Sequence, residues 1–373
     1  MTLAEKMARP GPKRLLALDG GGIRGLISVE VLAQIEVRLG RELGAGPGFV
    51  LADYFDYIAG TSTGGIIAVL LSLGWSAARI RAFYVDHGRE MFRHAIAPWR
   101  IYRSLYRATD LRATLARLIG PDTTLGSEQL RTLLLLVMRN ANTDSPWPLS
   151  NNPAAKYNIR GDADCNLDLP LWQLVRASAA APLFFPPEIL RVGRSKFAFT
   201  DGGMTSYNNP AFLLFLMATL APYHLGWPIG EDRLLLVSIG TGTNPRPRTA
   251  QTQNIFTGIM SVLMDPRFAA LVQQDLLCRV FGKCLAGDPI DGEIGDLMDP
   301  TASPFPKHFT YVRYNGELSR PGLDALQLPD VDPLQVSKLD SVAHIGDLCR
   351  VGRAIAEREV RIEHFRGFLD AAT

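Results

Sequence analysis

The chain has 373 residues, 47% hydrophobic and 20% charged, which is enough apolar material for a substantial core in one large domain or two ordinary ones. A formal net charge of +2, with no polybasic tract, argues against a nucleic-acid partner. No apolar run approaches the roughly 18 to 20 residues that span a bilayer, and the N-terminal MTLAEKMARPGPKR has an early acid and no apolar leader core, so neither a membrane helix nor a signal peptide is expected.

Residues 1–13 read as a polar tail. Residues 13–19 (KRLLALD) form a compact apolar run that ends in a glycine triplet. Leu26, Val29, Leu32, Ala33, Ile35 and Leu39 then recur at helical spacing. This predicts a strand, a tight turn and a helix. The unit repeats as a strand over 54–59, the turn GTSTGG and a helix over 66–73. Further strands are predicted at 131–138, 196–200, 233–239 and 308–314, with helical stretches between them. Such alternation implies an α/β fold of three layers, with a largely parallel sheet between helices. Residues 146–168, rich in Pro, Asn and Asp, read as a long surface loop. Another break falls at 243–252, and the rest reads as mainly helical with one or two strands. The expected organisation is a catalytic domain over 14–245 and a C-terminal extension over 246–373 packed on it, a separate small C-terminal domain being the alternative. Cys165, Cys278, Cys284 and Cys349 are scattered, with neither CxxC nor zinc spacing, and read as reduced thiols of a cytoplasmic protein.

Three motifs carry chemistry. Gly60-Thr61-Ser62-Thr63-Gly64 fits the G-x-S-x-G nucleophile elbow, in which a serine sits on a sharp strand-to-helix turn. Its neighbours two residues either side must be small for the backbone to fold back, and the helix N-terminus favours developing negative charge. In Asp19-Gly20-Gly21-Gly22-Ile23-Arg24-Gly25, consecutive glycines expose N–H groups that can converge on an oxyanion. Gly20, Gly22 and Gly25 also match the dinucleotide pattern G-x-G-x-x-G. The acid that pattern wants about 20 residues on has only Glu42 to offer, in a Gly-rich loop rather than at a strand end. Nucleotide binding therefore stands as the alternative. Asp201-Gly202-Gly203 follows an apolar run and, taken alone, is an ordinary Asp-Gly turn.

In this order the three motifs resemble the patatin-like phospholipase family, whose signature is D-G-G-G-x-R/K-G, then G-x-S-x-G, then D-G-G/A. Residues 176–187 (RASAAAPLFFPP) and Gly240-Thr241-Gly242 are similar as well, and the likeness covers roughly residues 14–245. The resemblance implies a patatin-like fold and a lipid acyl hydrolase working through a Ser-Asp dyad. Ser62 would be the nucleophile, Asp201 the base, and the amides of Gly20, Gly21 and Gly22 the oxyanion hole. Arg24, Gly60, Gly64 and Gly202 would play supporting roles. It implies a phospholipid or other acyl-ester substrate met at a membrane surface, with no cofactor and no metal. Bacterial members of the family include membrane-degrading effectors switched on by cyclic dinucleotides in anti-phage defence, so a small-molecule activator is a further expectation.

Other readings remain. An α/β-hydrolase triad runs Ser, Asp, His and would need His308 or His344. An acyl-carrier acyltransferase would normally place histidine before the serine, where Thr61 stands. A catalytically silent lipid-binding module is a third. Residues 91–118 interleave Arg100, Arg103 and Arg107 with Trp99, Tyr102 and Tyr106, which suits either an anionic membrane surface or a solvated helix packed on the core. Residues 212–220 suit an acyl pocket or plain core. The acids Asp288, Asp291, Glu293, Asp296 and Asp299 lack EF-hand spacing.

Overall fold

The computed structural model describes residues 3–91, 108–182, 184–244 and 255–369. A short helix α1 (Leu3–Ala8) leads into β1 (Lys13–Leu18), α2 (Gly25–Glu42), the single turn α3 (Leu51–Tyr54), β2 (Tyr57–Thr61) and α4 (Thr63–Ser72). Next come α5 (Ala77–Met91), α6 (Ala108–Ile119), the strands β3 (Leu133–Asn140) and β4 (Ser145–Ser150), and α7 (Leu171–Ser178). β5 (Glu188–Val192), β6 (Ser195–Asp201), α8 (Ala211–Thr219) and β7 (Leu234–Ile239) follow. The C-terminal region holds α9 (Ile255–Phe281), β8 (Gly282–Ala286), β9 (Phe309–Tyr314), α10 (Arg320–Ala325), α11 (Pro333–Val336) and α12 (Ile345–Glu359).

Among the described residues nine strands form one sheet, ordered β5-β6-β3-β2-β1-β7-β9-β8, with β4 also paired to β3. The run from β3 to β8 is parallel, and β4, β5 and β6 make an antiparallel margin. Side chains alternate between faces along each strand. Leu16, Leu18, Ile58 and Leu134 enter one core with residues of α2, α4, α5, α7 and α12, while Leu15, Ala17, Tyr57 and Leu133 enter a second with residues of α8 and Cys278 of α9. Strands covered on both faces need no polar alternation, which is why LLAL of β1 and LLLLVM of β3 read as unbroken apolar runs. No described helix is long and apolar enough to cross a membrane.

Several boundaries differ from those expected. Residues 51–54 are a helical turn, where the Asp53 carboxylate accepts the Val50 N–H at 3.0 Å, and the strand expected from 54 begins at Tyr57. The Pro-rich stretch from 146 opens inside β4, where Pro146 and Pro148 stand opposite Arg139 and Val137 of β3. Proline is tolerated on a marginal strand, where an N–H is not required of every residue. The C-terminal region is mainly helical, but its two strands lie within the sheet, β9 between β7 and β8. The Arg- and aromatic-rich residues 92–107 lie outside the described residues.

α12, which packs along α2, ends on a titrating group. Glu359 accepts a hydrogen bond from Arg358 at 2.7 Å. Burial, reinforced by the charge of Asp288, nevertheless pushes its carboxyl up to about 7. In the unfolded chain it ionises near its ordinary value. The folded protein therefore binds more protons between roughly pH 4.5 and 7, and stability falls as pH rises through that window. Glu359→Gln is expected to leave the unfolding free energy near wild type at pH 4.5 and to raise it by about 1–2 kcal/mol at pH 8. Urea titrations across that range check this, and a gain that shrinks with rising pH contradicts it.

Candidate active site

β2 ends at Thr61 and α4 begins at Thr63, so Ser62 alone makes the turn between them. Its backbone sits at φ 56° and ψ −123°, a conformation that costs a non-glycine residue on the order of 1–3 kcal/mol and persists only where the surroundings impose it. Those surroundings are visible. The Ser62 carbonyl accepts the N–H groups of Gly65 and Ile66 at 2.9 and 3.2 Å, and the Ser62 N–H donates to Ser178 Oγ at 2.9 Å. A Cβ on Gly64 would land against the Leu18 carbonyl and lie 2.7 Å from that of Asp19, so glycine lets the elbow close on the end of β1. Gly60 packs on the backbone of Gly64 within the same turn.

The sheet register brings Asp201 to this serine. Residues 135–137 of β3 pair with both β2 and β4, and residues 138–140 with both β4 and β6. β2 and β6 must therefore occupy the same edge of β3 in succession. Thr61 stands opposite Val137 and Asp201 opposite Met138, so β6 ends where β2 leaves the sheet. Ser62 Oγ donates to Asp201 Oδ2 at 2.7 Å, while Asp201 Oδ1 accepts the Gly203 N–H at 2.6 Å. Ser62 is 6% exposed and Asp201 2%. Gly202, lacking a Cβ, passes directly against the Val137 carbonyl.

The glycine loop lies beside the pair, and here one expectation needs correction. The Gly20 N–H donates to the Asn208 carbonyl at 3.1 Å, so it is not available to an oxyanion. Among the described residues no carbonyl takes the N–H of Gly21 or Gly22. Gly22, at φ +62°, lines the pocket over Ser62, and a Cβ there would strike the Leu339 carbonyl. That carbonyl also accepts the Ile23 N–H at 2.8 Å. Thr241 packs on Gly21 and donates its hydroxyl proton to the Gly20 carbonyl at 3.2 Å. Arg24 Nε reaches the Gly21 carbonyl at 3.5 Å, a loose tie within the loop. Gly25 faces the Thr63 side chain. On the side where a Cβ would stand, Gly21, Gly22 and Gly25 are each packed against other parts of the protein, so each position requires glycine for close approach.

A pocket of about 540 Å³, counted out to its mouth, opens over Ser62 and Asp201. Its walls are mostly apolar and include Ile66, Met91, Leu111, Phe184, Phe185 and Leu339. Tyr84 also lines it, with its hydroxyl 2.6 Å from Thr63 Oγ1, and burial pushes that phenol well above its ordinary pKa. Arg176, fully buried, lies over the Phe185 ring at 4.8 Å and donates to the Pro186 carbonyl at 3.1 Å. Most of the apolar run at 212–220 is core: Leu213, Leu214, Phe215 and Met217 pack on the opposite face of the sheet, while Leu220 at its end is exposed. The histidines that chain order offered to a triad lie elsewhere. His308 stacks near Phe215 and Phe281, His344 Nδ1 faces Asp347 at 3.1 Å, and neither lines the pocket.

Fold and site together define an α/β protein built around a nucleophile elbow. The family model for patatin-like phospholipase matches residues 16–215. The chain is 30% identical over 234 residues to the cGAMP-activated phospholipase of Escherichia coli (strain TW11681), covering 61% of this chain and 62% of that protein. It is 31% identical over 278 residues to patatin-like protein 1 of Arabidopsis thaliana, covering 67% of this chain and 64% of that one. Patatin group M-3 of Solanum tuberosum is 30% identical over 247 residues, 62% of this chain and 60% of that protein. The chain belongs to the patatin-like phospholipase family. The aligned regions span a little under two thirds of each of these relatives.

Proposed function

We propose that the protein is a lipid acyl hydrolase of the phospholipase A or lysophospholipase type, acting through Ser62 and Asp201. The observation that carries this reading is the 2.7 Å hydrogen bond from Ser62 Oγ to Asp201 Oδ2 at the floor of an apolar pocket. Ser62 Oγ attacks the ester carbonyl carbon as Asp201 takes its proton. The developing oxyanion is met by the N–H groups of Gly21 and Gly22. The C–O bond to the alcohol then breaks, the alcohol leaves with the proton from Asp201, and the acyl group stays on Ser62. A water that loses its proton to Asp201 attacks the acyl-enzyme carbonyl, the bond to Ser62 Oγ breaks as Oγ takes that proton back from Asp201, and the fatty acid is released with serine and aspartate restored. Ile66, Leu111 and Phe185 suit the acyl chain, since such walls exclude water and strengthen the short Ser–Asp bond.

The substrate places the work at a lipid surface, to which the protein binds peripherally. Likeness to the relative named as a cGAMP-activated phospholipase supports a cyclic dinucleotide as activator, and a role in membrane degradation during anti-phage defence is the wider function proposed for such a switch. The test is release of fatty acid from mixed phospholipid vesicles and from p-nitrophenyl butyrate, with and without cGAMP. Wild type should release acid and Ser62→Ala should not, and a rate rising with cGAMP supports activation. Silence of wild type under every condition, or equal release by Ser62→Ala, overturns the hydrolase reading.

A further inference from the structure

Ser62 and Asp201 arrive on different strands, yet one short segment holds the backbone of both. α7 ends at Ser178, whose hydroxyl accepts the Ser62 N–H at 2.9 Å and donates to the Val137 carbonyl of β3 at 2.6 Å. Two residues on, the Ala180 carbonyl accepts the Asp201 N–H at 3.0 Å. Val137 is the residue of β3 opposite Thr61, and the next residue, Met138, is opposite Asp201. The Ser178 hydroxyl thus ties the nucleophile's amide to the strand on which both partners are registered. Ser178 is fully buried, so water does not compete for either bond, and a buried donor left without its acceptor is costly. The elbow also needs such a tie. At φ 56° the Ser62 peptide is not held by its own conformational preference.

We infer that Ser178 is a positioning residue for the Ser62–Asp201 pair: its hydroxyl clamps the elbow amide to β3 and, with the Ala180 carbonyl, makes the end of α7 the gauge that sets the distance between nucleophile and base. This rests on the acyl hydrolase reading. It goes beyond that reading by assigning a task to a residue that touches neither the ester nor the transferred proton. It also removes the Ser62 amide from the set of oxyanion donors.

The experiment compares wild type, Ser178→Ala, Ser178→Thr and Ser62→Ala by the rate of covalent labelling with a fluorophosphonate, by kcat and KM on p-nitrophenyl butyrate, and by Tm. Displacing a reacting group by a fraction of an ångström is expected to slow labelling and kcat of Ser178→Ala by about 10- to 100-fold with KM within about twofold of wild type. Ser178→Thr, which keeps the hydroxyl, should recover most of the rate. A purely structural role would lower Tm or the active fraction without this kcat-specific loss. Labelling and kcat of Ser178→Ala within about threefold of wild type overturn the inference. Should Ser178→Ala not fold, Ser178→Cys, of similar size and far weaker in hydrogen bonding, is judged by the same threshold. Wild type that takes no label at Ser62 overturns the hydrolase reading and this inference with it, an outcome distinct from equal labelling of wild type and Ser178→Ala.

Discussion

Asp201→Asn is expected to lower kcat by roughly 10³- to 10⁴-fold while leaving KM and Tm close to wild type. The carboxylate has two unequal oxygens. Oδ1 is held by the Gly203 N–H at 2.6 Å and Oδ2 receives the Ser62 hydroxyl at 2.7 Å. An asparagine must turn its carbonyl oxygen toward the Gly203 donor, because its amide NH₂ has no lone pair to offer there. That orientation points the NH₂ at Ser62 Oγ. The serine then faces a donor where it had an acceptor, so the shape of the site survives and the proposed route for its proton does not. Ser62→Ala, which removes the attacking atom, should fall further, by roughly 10⁵-fold or more. Steady-state rates on p-nitrophenyl butyrate, with Tm as the folding control, decide the matter. An Asp201→Asn enzyme within tenfold of wild type would show that the proton goes elsewhere.

The parts of this site that could be read from the residues alone are those whose chemistry imposes a local pattern. A serine at φ 56° between a strand and a helix needs small neighbours, and Gly60 and Gly64 are the visible trace of that need. The glycine triplet is legible for a similar reason, since Gly22 at φ +62° lies under the Leu339 carbonyl. What could not be read is which of three neighbouring amides is already used. That is decided by the Asn208 carbonyl, 188 positions away from Gly20 in the chain. Leu339 contributes a carbonyl oxygen, a group every residue carries, so no side-chain pattern announces it. Ser178 had a faint signal, lying within the family-like stretch at 176–187, but a serine among alanines near a helix end has no distinctive periodicity.

The fold shows the same division. Parallel strands buried on both faces announce themselves as apolar runs, and β1, β3, β7 and β9 were each legible to within two residues at either end. β4 is masked by Pro146 and Pro148, which only a marginal position permits. β5 alternates buried and exposed residues over its first four positions, too short for a periodic signal. β8 follows α9 with no turn between them. Order along the chain placed Asp201 after Ser62 but could not show that β6 takes the edge of β3 that β2 vacates.

Arg313→Met should reduce the unfolding free energy by about 3–5 kcal/mol, the usual result of stranding one member of a buried ion pair. Arg313 is 2% exposed and grips Asp19 with both terminal nitrogens, at 2.9 and 2.6 Å, while Nη1 also reaches Ser238 Oγ at 2.7 Å. Burial opposes the guanidinium's charge, yet Asp19 more than offsets this and holds its pKa above the ordinary arginine value. Removing the arginine leaves the Asp19 carboxylate in a dry site. Replacing both members together, Asp19→Leu with Arg313→Met, removes the stranded charge and should recover stability to within about 1–2 kcal/mol of wild type. Urea denaturation of the two single variants and the double variant tests this, and a loss below 1 kcal/mol in Arg313→Met would contradict it. Activity should not recover with stability. Asp19 leads into Gly20, and the pair ties the glycine loop to β9, a strand beyond the residues 16–215 that match the family. The double variant is therefore expected to fold well and turn over at least about tenfold more slowly, as a loosened oxyanion loop should. On this reading the C-terminal strands do more than extend the sheet, because they hold still the loop whose amides are proposed to meet the transition state.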